Sequence, residues 1–275
     1  MANITAADVS KLRQMTGAGM MDCKKALVEA DGDFERAKEL IRERGLAIAN
    51  KRADRDASEG AVLAKTTKNN TIGVMIAVNC ETDFVAKNED FVAMAKSILD
   101  VAAEELPANI DSLKLCKING ITIADIISER SGVTGEKMEL AYYDKVEAPL
   151  VSSYIHMGNK LATLVGLNKV VDSSIGFNVA MQIAAMNPVS IDKDSVPQSV
   201  IDKELEIGRE QARLEGKAEE LLDKIAQGKL QKFFKESTLL NQEFVQEGKI
   251  SVKEYLQKTD KELTVTSFKR YGLSN

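Results

Sequence analysis

Hydrophobic positions along this chain change their period at a few sharp places, and those changes outline its elements. From residue 4 to about 45 apolar side chains recur at three- and four-residue spacing, which predicts three short helices. Thr5 with Asp8 makes a capping box for the first; Val9 and Leu12 form its inner face and Thr16-Gly17-Ala18-Gly19 its stop. Asp22 is placed to cap the second, which carries Cys23, Ala26 and Leu27 on one side. Asp33 caps the third, Phe34, Ala37, Leu40 and Ile41 line its face, and Gly45 is expected to end it. The reading is an N-terminal three-helix bundle over residues 1–50, then a polar linker over 51–58.

Beyond Glu59 the period becomes two. Ala61 to Lys65 and Thr71 to Val78 flank Lys68-Asn69-Asn70 and predict a hairpin. A helix beginning near Asp90 carries Phe91, Met94, Ala95, Ile98, Leu99 and Ala102 and ends before Pro107; Ile121 to Arg130 reads as a helix and Lys137 to Lys145 as a strand. The pattern then returns. Leu150 to His156 and Leu161 to Val170 form a second hairpin around Met157-Gly158-Asn159-Lys160, and Phe177, Ala180, Met181, Ala184 and Ala185 mark a helix stopped at Asn187-Pro188. Two related hairpin-plus-helix halves, 59–146 and 147–275, follow, and the fold class is α+β. Within the second half, residues 197–236 carry Ile201, Leu205, Gly208 and Ala212 and then Leu221, Leu222, Ile225, Leu230 and Phe233, an inserted antiparallel helical hairpin of coiled-coil type. Leu263 to Tyr271 closes the chain as a strand.

One stretch does not fit the pattern. Asn79-Cys80-Glu81-Thr82-Asp83-Phe84-Val85-Ala86-Lys87 must turn the strand ending at Val78 into the following helix, yet it interleaves apolar with polar side chains on a segment that normally runs over the surface. Spacing leaves two readings open: Phe84 folds back as a lid on its own core, or it projects as an aromatic anchor for a partner's cleft. The second half carries no Asp-Phe pair at its corresponding loop, and that asymmetry favours function over packing. Met20 and Met21, adjacent at the start of a helix, cannot both face one core, so at least one meets solvent or a partner.

Composition narrows the chemistry. Hydrophobic residues at 44% and charged residues at 29% describe a globular protein, and a net charge of −5 argues against direct nucleic-acid binding; Asp54 and Asp56 interrupt the basic cluster Lys51, Arg52 and Arg55, which reads as a solvated linker. No apolar run approaches the roughly 18–20 residues of a membrane span, and Met1-Ala2-Asn3-Ile4-Thr5 lacks signal-peptide character, so a cytoplasmic protein is expected. Three cysteines far apart suit reduced thiols, and the single histidine, His156, rules out multi-histidine metal sites. The glycines at 17 and 19 follow a helix and precede no Lys-Ser, unlike a phosphate-binding loop. Neither a catalytic set nor a metal set emerges. Glu81 and Asp83 could work as paired carboxylates of a hydrolase, but no nucleophile or metal-ligand set accompanies them. A scaffold whose helical hairpin makes homodimers is the other alternative.

Leu12-Arg13 with Thr16 to Leu27, and Asn79 to Lys87, resemble the two signature motifs of the bacterial elongation factor Ts family, guanine-nucleotide exchange factors of elongation factor Tu. The likeness in order and length runs over nearly the whole chain. It implies an N-terminal three-helix domain, two related α+β core halves and a coiled-coil arm. It also implies that the loop Thr82-Asp83-Phe84-Val85 inserts beside the magnesium site of the GTPase. Arg13, Met20, Met21 and Lys24 would touch the same G domain and His156 another domain of Tu. No cofactor is implied for this chain, since GDP, GTP and magnesium are bound by the partner. Some relatives carry a further C-terminal helix that is not expected here.

Overall fold

The computed structural model describes residues 4–52 and 54–273. Helix α1 (Ala6–Thr16) starts at the expected capping box, with Thr5 Oγ1 accepting from Asp8 N–H and the Asp8 carboxylate accepting from Thr5 N–H. It ends at Gly17, whose left-handed φ of 71° lets its N–H reach Arg13 O. Helix α2 (Met20–Glu29) departs from expectation: Gly19 is the N-cap and no side chain caps it. Asp22 lies instead within the first turn, where its charge favours the helix's positive end. Helix α3 (Phe34–Lys51) is capped by Asp33 as expected but runs on past Gly45. The glycine serves a close approach, not a stop. A Cβ on Gly132 would lie 2.1 Å from Gly45 Cα, so α3 and the later helix α7 (Ile123–Thr134) touch backbone to backbone. Leu12, Cys23, Leu27, Ala37 and Leu40 form the buried core among the first three helices, with Val133 of α7 packed against it.

Two antiparallel three-stranded sheets follow. Strands β1 (Glu59–Thr66) and β2 (Ile72–Cys80) form the first hairpin, and β5 (Met138–Glu147) pairs with the far side of β2. Strands β6 (Leu150–Ile155) and β7 (Leu161–Leu167) form the second hairpin, and β8 (Val265–Gly272) pairs with β7. Each half therefore places its second hairpin strand in the middle, a duplication that extends the expected hairpin-plus-helix unit by one strand.

Alternation along the strands builds the layers. Val74, Ile76 and Val78 of β2 face helix α5 (Glu89–Glu105), while Met75 and Ala77 face the second sheet, where they meet Val151, Ala162 and Leu164. On the far side Val165 and Leu167 of β7 pack on helix α8 (Ser173–Met186). Strand β2 is thus covered on both faces. That explains its nearly continuous apolar run, and the strand extends to Cys80, within the stretch expected as a loop, because Cys80 pairs with Glu59 on one side and Met138 on the other.

Between α5 and β5 lie α6 (Ile110–Leu115), the short pair β3 (Lys117–Ile118) and β4 (Ile121–Thr122), and α7. Between α8 and β8 come α9 (Gln198–Leu214), α10 (Glu219–Ser237) and α11 (Val252–Gln257). Arg209 pairs with Asp223 and Arg213 with Glu219, so α9 and α10 run in opposite senses. Among the described residues no helix is long and apolar enough to cross a membrane.

A candidate partner-binding surface

Where β2 ends, the chain makes one short helical turn, α4 (Asp83–Ala86), before α5. Thr82 is its N-cap, with Oγ1 accepting from Val85 N–H. Val85 and Ala86 turn inward onto the first core, and Asn88 caps α5 by accepting from the N–H groups of Asp90 and Phe91. The lid role is thereby filled by residues other than Phe84. Phe84 itself stands out with 85% of its surface exposed, so it does not fold back as a lid on its own core.

The turn is fastened from outside as well. Thr82 donates both its N–H and its hydroxyl to the Glu136 carboxylate, at 3.1 and 2.6 Å. The Glu81 carboxylate, largely buried, accepts from Lys137 N–H at 2.6 Å, from Arg52 at 3.0 and 3.1 Å and from Arg55 at 3.2 Å. The basic cluster read as solvated linker thus includes two arginines bound to this carboxylate. Asp83 pairs with Lys87 at 2.6 Å.

These partners decide the electrostatics. Glu81 is held below the ordinary glutamate range, first by the Lys137 amide and then by Arg52 and Arg55. Asp83 is likewise lowered, by the hydrogen bond and charge of Lys87 and more weakly by Lys160. Both carboxylates are kept ionised, whereas a catalytic pair needs one pushed upward to hold a proton. Burial, with Glu136, Glu59 and Glu81 nearby, pushes the Cys80 thiol up to about 12, so it is not a thiolate nucleophile. Among the described residues no group of three or more histidine, cysteine or carboxylate side chains is arranged to hold a metal.

The α1–α2 connection and the β6–β7 tip, which carry the other expected residues, both approach this turn. A groove beside Phe84 is lined by Val85, Asn88, Arg130 and Thr134 and reaches Gly17 at the end of α1. It joins the Phe84 turn to the α1–α2 connection, beyond which Met20 and Met21 are exposed. Met20 and Lys24, four apart, lie on one face of α2, and Arg13 is exposed in the last turn of α1. His156 is the first residue past β6, exposed, with Nδ1 3.0 Å from Tyr154 Oη. Its hairpin tip lies against the start of β1, where Val62 N–H donates to Asn159 O and Lys160 pairs with Glu59 at 2.8 Å. Lys160 is near enough for its charge to act on Asp83. The tip adds a residue that sequence reasoning passed over: Met157, 89% exposed. A large apolar side chain in a five-residue hairpin connection was the available signal.

An exposed aromatic on a fastened turn, flanked by exposed methionines and without a proton-sharing carboxylate pair, has the form of a contact surface in an α+β protein. Comparison with known proteins makes the class specific. The family model of elongation factor TS matches residues 81–275. The chain is 52% identical to elongation factor Ts of Christiangramia forsetii over 275 residues, 99% of this chain and 100% of that one. It is 50% identical to that of Porphyromonas gingivalis over 272 residues, 98% of each chain, and 52% identical to that of Amoebophilus asiaticus over 270 residues, 97% of this chain and 98% of that one. The chain belongs to the elongation factor Ts family, and with it to the elongation factors of protein synthesis.

Proposed function

We propose that this protein is a cytoplasmic guanine-nucleotide exchange factor that binds elongation factor Tu carrying GDP and promotes GDP release so that GTP can bind. The observation that carries the reading is the exposure of Phe84 on a turn fastened at its N-cap. Phe84 enters the partner as a wedge beside its magnesium and phosphate site; Thr82, Asp83 and Val85 orient it. Arg13, Met20, Met21 and Lys24 touch the same G domain and His156 another domain. GDP, GTP and magnesium are the partner's ligands, and no residue here makes or breaks a covalent bond. Residues 1–50 act as an N-terminal three-helix domain on the linker 51–58, carried by core halves 59–146 and 147–275. Residues 197–236 act as an antiparallel coiled-coil arm.

The mechanism is linkage. A factor that holds the G domain with a disturbed magnesium site binds empty Tu more tightly than GDP-loaded Tu, and by reciprocity its binding weakens GDP. Burying the Phe84 ring contributes about 1.5–3 kcal/mol, and about 1.4 kcal/mol is tenfold in an equilibrium constant. The wedge therefore supplies roughly ten- to a hundredfold, and any larger acceleration needs the methionine surface and the second half. Stopped-flow release of a fluorescent GDP from Tu of the same organism tests this. Acceleration by the parent, reduced roughly ten- to a hundredfold in Phe84→Ala, is the expected result; no acceleration by the parent removes the reading.

A further inference from the structure

Two carboxylates fasten the Phe84 turn in a crossed arrangement. Glu81, just before the turn, accepts the backbone N–H of Lys137; Glu136, the residue before Lys137, accepts the backbone N–H and hydroxyl of Thr82, the residue after Glu81. Each strand-end connection thus supplies a side chain that binds the other's backbone. Ser131 of α7 holds the second connection in place, donating to Glu136 O at 2.7 Å and accepting from Met138 N–H at 2.8 Å. Glu81 has further partners: Arg52 and Arg55, just past the end of α3, grip the same carboxylate. The latch therefore joins the turn, the β5 entry and the stem of the N-terminal helices at one point.

An exposed one-turn helix has little intrinsic stability. Of its four residues Val85 and Ala86 are only partly buried against the core and none is fully buried, so packing gives the direction of Phe84 limited support. Without external ties, the turn would have to be ordered on binding, at a cost that subtracts from affinity.

We infer that Glu136, with Glu81 beside it, is a positioning residue for nucleotide exchange: the crossed carboxylate latch pre-orders the Phe84 wedge and sets it in a fixed frame with the Met20–Met21 surface. This rests on the exchange function proposed above. The hydroxyl of Thr82 is needed as the second donor to Glu136, which gives the threonine a role distinct from contact with a partner.

The test uses the full chain with Tu loaded with fluorescent GDP, measuring maximal release rate and half-saturating concentration separately. Glu136→Ala is expected to lower their ratio roughly three- to tenfold, the scale of one or two lost hydrogen bonds. Glu136→Gln, which can still accept from Thr82 N–H and donate to its hydroxyl oxygen, should restore most of it. Thr82→Val combined with Glu136→Ala should lose less than the product of the two single losses. In the free protein, amide hydrogen exchange at Ala86 and Lys87 should accelerate in Glu136→Ala, while Val74 to Val78 stays protected. Faster exchange at those amides with an unchanged ratio overturns the inference, because the turn would be loosened without consequence. A lowered ratio with unchanged amide exchange overturns it too, because Glu136 would then act on the partner directly. Should Glu136→Ala not fold, Thr82→Val, compared with Thr82→Ser, which keeps the hydroxyl, reads out the loss of that hydroxyl's bonds to Glu136 and to Val85 N–H. No acceleration by the parent is the failure of the exchange reading itself, and it is seen before any latch variant is made.

Discussion

Along the packed seam between the two halves of the core, one hydrogen bond is used twice. Val62 N–H of the first half donates to Asn159 O of the second at 2.7 Å, and Val151 N–H of the second donates to Asn70 O of the first at 2.6 Å. Both asparagines sit at hairpin tips with positive φ, 55° and 57°, a conformation asparagine tolerates better than most residues. Each hairpin tip thus lies beside the other half's first strand, and the core has two equivalent ends. Their side chains differ. One end combines the Phe84 turn with the tip bearing His156 and Met157. The other combines the polar tip Thr67 to Asn70 with the connection Asn168 to Asp172, where Val170 is exposed but Lys169 is tied to Asp260 and Glu262. Duplication accounts for the shared backbone, while the exposed side chains at the two ends differ.

The largest effect that could break this comparison comes from exchanging the two ends' apolar side chains. Phe84→Ala should reduce GDP release roughly ten- to a hundredfold, whereas Val170→Ala should stay within about twofold, as for surface substitutions away from special features. Adding Val170→Phe to Phe84→Ala should restore nothing. Recovery of exchange by that double variant would mean the two ends are interchangeable.

The inserts of the two halves differ as well, and that difference is read in stability. In the first half α7 lies backbone to backbone on α3 at Gly45 and Gly132. In the second, α9 and α10 pack on each other, and a Cβ on Gly228 of α10 meets nothing within 4 Å. Gly132→Ala should therefore lose about 1–3 kcal/mol by overpacking, and Gly228→Ala should gain about 0.5–1 kcal/mol because glycine is costly within a helix. Denaturant midpoints of the two variants check both signs.

These glycines also mark what sequence reasoning reaches. Residue by residue, Gly45 looks like a helix stop, because its packing partner Gly132 lies 87 positions away (132 − 45). The duplicated hairpins, the helices bearing Phe91 and Ala180 and the helical hairpin were legible because period and turn residues are local signals. The third strand of each sheet was expected as an element, while its pairing with the central strand depends on long-range register. At the site, Phe84, Met20 and Met21 stood out as residue types in unusual places, whereas His156, Arg13 and Lys24 were reached only through the family resemblance. Their supports did not: Glu136 meets Thr82 across 54 positions and Arg52 meets Glu81 across 29, and neither spacing has a sequence signature.

A smaller effect belongs to Met157. If the His156 tip extends the surface made by Phe84, Met157→Ala should raise the half-saturating concentration for GDP release by roughly three- to tenfold with little change in maximal rate, the scale of partial apolar burial. Asn69→Ala, at the tip of the other end, should leave both quantities unchanged. Equal effects from the two tips would abolish the functional distinction between the ends.

The smallest effect compares the charge pairs that hold the two connections. Glu81 is lowered by the Lys137 amide and by Arg52 and Arg55, and Asp260 is lowered by Lys169 and then by the Glu262 amide. A carboxylate with a depressed folded pKa stabilises the fold above its unfolded value, and that contribution is lost as pH falls through the folded value. For Glu81 the unfolded value is about 4.3. The parent's advantage in melting temperature over Glu81→Gln should thus be constant above about pH 5 and shrink below about pH 4. Asp260 is the more exposed of the two, so Asp260→Asn should show the same sign, a smaller gap and a stronger loss with added salt. A gap for Glu81→Gln that persists undiminished at low pH would mean that the first connection is held by packing, and that its carboxylate contributes no more than the screened pair at the other end.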